Sequence, residues 1–239
     1  MDQTVEKIKG IKIKFTNDLN DNIKNVIRNE LEIAIKYFEK TASCCCRSYI
    51  EEIIIKYESI KISNNFNING IFNQFNRVMT LSYNGDVSKF KNTIIHELTH
   101  AKFNTDLAIN NTELWRKSME YDSAIYMINE YMAIKYSSNY CYTVEDFKHV
   151  NSCQNNFKDY YKFRENYNID NLKTLATFIC SIIISEEILK RNRVKMYRVY
   201  IKDILDIKKE LEKIDFIPTE EQYQALLKLL KEKGYKEYN

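Results

Sequence analysis

Apolar and polar positions alternate over residues 12–15, then recur every three or four residues over 21–40. There Ile23, Val26, Ile27, Leu31, Ala34 and Phe38 fall on one helical face. The first pattern predicts a strand and the second a helix lying over it. An Ile-rich stretch at 50–57 predicts another strand, and residues 70–75 and 77–83 predict two more around a polar turn at Asn76. Asn84-Gly85-Asp86 ends the last of these. Asp86 or Ser88 is then placed to cap a helix whose apolar positions are Phe90, Ile94, Ile95, Leu98 and Ala101.

Beyond Asp106 the period is helical throughout: 113–137, 144–167, 171–190, 199–214 and, directly after Pro218, 219–233. In the last segment Ala225, Leu226, Leu229 and Leu230 form the clearest stripe. The expected fold is α+β, a small mixed or antiparallel sheet packed on one helix and followed by a mostly helical half. A soft boundary near residue 110 divides it into 1–110 and 111–239.

Composition fits this picture. Apolar residues make up 44% of 239 positions, enough for a sizeable core, and four Gly with one Pro leave few forced breaks, as in a largely helical chain. A net charge of +3 is too small to indicate nucleic acid as a partner. The longest apolar run, 175–184, is far short of the roughly 18–20 residues that span a bilayer and reads as a buried helix, so no membrane partner is expected. The first 14 residues lack the continuous apolar stretch of a secretory signal, which points to the cytoplasm and to six reduced cysteines. Cys44, Cys45 and Cys46 are adjacent, and Cys141, His149 and Cys153 follow no metal spacing with a mechanical logic; small apolar or surface roles suit them better.

Chemistry concentrates at His96-Glu97-Leu98-Thr99-His100, which holds two of the three histidines in the chain. On a helix, positions four apart share a face, so the two imidazoles can grip one ion with Glu97 beside it. Neutral imidazoles suit a borderline-soft cation, one Zn²⁺, and two of them plus a carboxylate leave a fourth tetrahedral position for water. Glu97 is placed to take a proton from that water and pass it to a leaving amine.

Three residues compete to be the third ligand. Asp106 stands six residues after His100, a spacing that resembles the ligand position of one zincin subgroup, but those proteins turn the chain sharply at a midway Gly where this chain has Phe103. His149 has no spacing argument. Glu130 is preferred, because on the 113–137 helix it shares a face with Ser123, Tyr126, Met127, Ala133 and Ile134. Its carboxylate would point inward, where a nearby cation offsets the cost of burial. Asp122, two turns earlier, could orient a ligand histidine, while Glu120 or Asp122 could replace Glu130. Tyr121, Tyr126, Tyr131 and His149 are candidate oxyanion donors.

These residues resemble the zincin metallopeptidases, in the gluzincin arrangement that takes its third ligand from a Glu on a later helix. More loosely, they resemble the compact ImmA/IrrE-type bacterial and phage peptidases. The matching pieces are Gly70-Ile71-Phe72, residues 77–83, His96 to His100, and Glu130-Tyr131-Met132-Ala133. Ile134 departs from the Asp that some gluzincins carry one turn after the ligand Glu. The resemblance implies a zincin-like fold and a zinc endopeptidase acting on a protein or peptide. It also implies that 77–83 is an edge strand that pairs with extended substrate. Two other readings are a regulatory or binding protein with a structural metal on the same scaffold, and an effector or toxin protease.

Overall fold

The computed structural model describes residues 6–16, 19–57, 60–63, 66–120, 122–143, 179–180, 183 and 202–233. Among these it is a mixed α+β protein with a five-stranded mixed sheet, a two-stranded sheet and six α-helices. Two compact units divide the chain, 1–105 with 139–141, and 106–138 with 142–239. No helix among the described residues is long and apolar enough to cross a membrane.

The first unit begins with β1 (Glu6–Ile8), β2 (Ile11–Phe15) and α1 (Asp21–Thr41). It continues through a short 3-10 turn (Cys46–Ser48), β3 (Glu52–Lys56), β4 (Ile60–Ser63), β5 (Phe66–Ile68), β6 (Gly70–Asn73) and β7 (Val78–Ser82). β4 and β5 form a separate antiparallel pair; the main sheet runs β1-β2-β3-β7-β6. Its central strands β2, β3 and β7 are parallel, and β1 and β6 close the two sides antiparallel.

Register explains the one-sided core. Ile13, Ile53 and Met79 stand side by side, as do Ile55 and Leu81, and all five are buried. Their neighbours point the other way, from exposed Lys14 through half-buried Ile54 and Thr80 to exposed Ile71. Each isoleucine removed from water on the inner face contributes about 1.5–3 kcal/mol. α1 contributes Ile27, Leu31, Ala34, Ile35 and Phe38, all fully buried, and the Asn20 side chain caps its first turn.

β7 departs from the edge role that the zincin resemblance implies for residues 77–83. It is bonded on both sides, by β3 and by β6, and among the described residues the outer edge falls to β6. The cause is the tight connection between them. Asn73 Oδ1 accepts the N–H groups of Phe75 and Asn76, Asn76 Oδ1 accepts that of Val78, and Arg77 takes a left-handed φ of 55°. The chain therefore folds straight back and covers β7. Strands β1, β4 and β5, three, four and three residues long, are not among the strands predicted from the sequence.

α2 (Val87–Asn110) starts at Asp86, whose Oδ1 accepts the N–H of Lys89. Phe103, fully buried, continues the helix instead of turning it. In the second unit the expected single helix over 113–137 is two, α3 (Thr112–Met119) and α4 (Ser123–Thr143). The break has a local cause: Asp122 Oδ1 accepts the N–H groups of Ala124 and Ile125 and so opens a new helix. α4 buries Ile125, Met127, Ile128, Tyr131 and Met132, apolar nearly all round.

Ile179, Cys180 and Ile183 are buried and helical, as expected for their apolar run; the expected helix over 144–167 lies outside the described residues. α5 (Lys202–Leu211) and α6 (Glu220–Glu232) follow, joined by the ion pair of Lys233 and Asp206 at 2.7 Å. Thr219 and Gln222 form a reciprocal capping box on α6. Its buried stripe is Tyr223, Leu226, Leu227 and Leu230, rotated from the expected one because Ala225 is exposed and Leu229 only half-buried.

Candidate metal centre

Within α2 the apolar positions Ile94, Ile95, Leu98 and Ala101 are all essentially inaccessible, which fixes the helix face that carries the pentad. One turn apart on that helix, the Nε2 atoms of His96 and His100 lie 3.0 Å from each other, with the rings nearly perpendicular at 88°. Two nitrogens bound tetrahedrally to one zinc at about 2.0–2.1 Å would stand roughly 3.3 Å apart, so this pair is close to ligating geometry. Desolvation by the surrounding protein, and then the neighbouring His100, push His96 well below the usual histidine pKa. It is therefore neutral at pH 7, the form that donates a lone pair to a metal.

Glu130 on α4 is buried, 7% exposed. Its carboxylate and the two imidazoles offer ligand atoms that all lie within 4.8 Å of one another, and they are the only group of three or more such side chains among the described residues. Two imidazole nitrogens and one carboxylate oxygen match the donor set of an open zinc site.

Glu97, 6% exposed, is held from the sheet side. Gly70, at the start of β6, faces it so closely that a Cβ placed there would stand 2.6 Å from Glu97 Cγ and 2.8 Å from its Oε1. Thr99 is fully buried and donates its hydroxyl to the carbonyl of Ile95, so it needs no other partner.

The other carboxylate candidates, Asp106, Glu120 and Asp122, join no metal-capable group among the described residues. Asp106 stays on α2, which runs on to Asn110; six residues past His100 amounts to about 240° of helical rotation, and it joins no metal-capable group among the described residues. Asp122 uses Oδ1 to cap α4, and its Oδ2 accepts the hydroxyl of Tyr223 at 2.8 Å. Glu120 is exposed at the end of α3. Tyr131 is buried on α4, with Lys135 Nζ 5.3 Å from its ring centre, and Tyr126 is half-buried. Tyr121, His149 and Cys153 lie outside the described residues.

Sequence reasoning did not single out Gly70 as a contact of Glu97, or Tyr223 as the partner of Asp122. For Gly70 a signal existed: it is one of only four glycines, and it opens a predicted strand instead of closing a turn. The chain matches no protein-family model, no curated protein and no solved structure.

Proposed function

We propose that this protein is a zinc-dependent peptidase of zincin type, in which His96, His100 and Glu130 hold one ion and Glu97 acts as general base and then general acid. The reading is carried by the convergence of two imidazole nitrogens 3.0 Å apart with a buried carboxylate, all ligand atoms within 4.8 Å. A bound zinc would lower the pKa of a coordinated water and polarise a substrate carbonyl.

The rest follows from the chain's own residues. His96, kept neutral by its surroundings, is ready to ligate without first losing a proton. Glu97 neighbours His96 in sequence and is nearly closed off from solvent, so a proton that it takes on a carboxylate oxygen is retained until the amide nitrogen leaves. Burial of the carboxylate between α2 and β6 limits its orientations, which general-base catalysis rewards.

The outer edge of β6 supplies a place for an extended peptide. Ser82 donates its N–H to the carbonyl of Asn69, so in this antiparallel pair Asn69, Ile71 and Asn73 turn their backbone groups toward β7. Gly70 and Phe72 turn theirs outward, ready for strand addition.

The test is Glu97→Gln. The variant should keep one equivalent of zinc and lose at least about 100-fold in the rate of cleaving an unstructured protein substrate, with products read by mass spectrometry. Undiminished cleavage in that variant excludes the proposed role of Glu97.

A further inference from the structure

Resting on the peptidase reading, we propose that Gly70 is a positioning residue for the reaction: the side chain it lacks is the space in which Glu97 is held. Its backbone is not in the left-handed region, unlike that of Gly10 and Gly85, so the conformation of β6 is open to any residue. Glycine is required here by space alone. A Cβ at position 70 would meet Glu97 Cγ at 2.6 Å, Thr93 Cγ2 at 2.7 Å and Glu97 Oε1 at 2.8 Å, all closer than real Cβ contacts.

Neither neighbour can yield cheaply. The hydroxyl of Thr93 donates to the carbonyl of Lys89 at 2.9 Å, which fixes its χ1 and aims the methyl at the strand. The position of Glu97 Cγ is set by χ1 alone, and a helix admits only two χ1 wells for a long side chain. Excluding the present well would swing Cγ by about 120° around the Cα–Cβ bond. The carboxylate would move by more than an ångström, and misplacement on that scale costs about 100-fold in rate.

The expected signature separates a positioning role from a merely structural one. The missing Cβ points toward α2, whereas the backbone groups of Gly70 offered to substrate point along the sheet. Gly70→Ala should therefore lower kcat by about 100-fold while KM stays within about threefold and zinc affinity is retained. Retained kcat, or a zinc affinity that falls in parallel with kcat, would overturn the proposal.

A thermal cycle reads the same contact without activity. In a Thr93→Ser background, which keeps the hydroxyl bond and removes the methyl, Gly70→Ala should lower Tm by several degrees with Glu97 present and by clearly less with Glu97→Ala. Equal losses in both backgrounds overturn the contact. Should Gly70→Ala not fold, recovery of folding by the added Glu97→Ala supports the proposal, and no recovery overturns it. If the wild-type protein cleaves no peptide, the peptidase reading fails, and the thermal cycle alone decides whether Gly70 holds Glu97.

Discussion

Replacing Glu130 with Gln changes the candidate metal centre by one atom's identity and one charge, and the consequence can be worked through linkage. A ligand that binds only the folded state stabilises it by RT ln(1 + [L]/Kd), so free zinc at 100 times Kd adds about 2.7 kcal/mol to the wild-type protein. For a chain of 239 residues that is a rise of roughly 5–11 °C in Tm. Gln offers a neutral amide oxygen where the buried carboxylate of Glu130 lies within 4.8 Å of the imidazole nitrogens. A loss of about 100-fold in affinity brings the same free zinc down to Kd, and the stabilisation falls to about 0.4 kcal/mol, a shift of under ~2 °C. The assay is thermal unfolding of both proteins in buffered free zinc and in excess chelator. Because Gln is nearly isosteric, the two chelated proteins should melt within a few degrees of each other, and only the zinc-dependent rise should disappear. An undiminished zinc shift in Glu130→Gln, or no zinc shift in the wild type, would refute the ligand assignment.

Two predictions concern stability away from the ion. Asp122→Ala removes both the cap of α4 and the acceptor for the Tyr223 hydroxyl, about 1 kcal/mol for the first and about 1.5–3 for the second, whereas Tyr223→Phe loses only the second. Urea midpoints should rank wild type, Tyr223→Phe and Asp122→Ala in that order; equal midpoints for the two variants would remove the capping role. The Arg28 guanidinium grips Glu6 through two bonds of 2.7 and 2.6 Å and holds its carboxyl below the usual value of 4.5. The unfolded chain therefore binds this proton first, so the contribution is present above pH 4.5 and is lost as pH falls through the depressed folded value. Both side chains are about one-third exposed, which limits the effect to under ~1 kcal/mol. Arg28→Ala should lower Tm at pH 6 and have less effect near pH 3; a larger effect at pH 3 would contradict the sign.

The strands and helices with the longest periods are legible in the order of residues alone. The alternation of Lys12, Ile13, Lys14 and Phe15 is that of β2, and the spacing of Ile27, Leu31, Ala34 and Phe38 is the buried face of α1. Local pattern fails where a single polar side chain overrides periodicity. Asp122 opens a new helix inside an unbroken apolar rhythm, because two hydrogen bonds to its carboxylate outweigh a continuous stripe.

By itself the sequence determined that His96, Glu97 and His100 share one helix with a buried back, since the helical period alone brings residues four apart onto one face. It did not determine what that face meets. That Glu130 comes within 4.8 Å of both imidazoles, that β6 and not β7 is the sheet edge, and that Gly70 leaves room for Glu97 were decided by tertiary structure. Each depends on segments distant in the chain meeting at a given register. Short-range periodicity reports which side of an element is buried, and only packing determines which distant side chain lies against it.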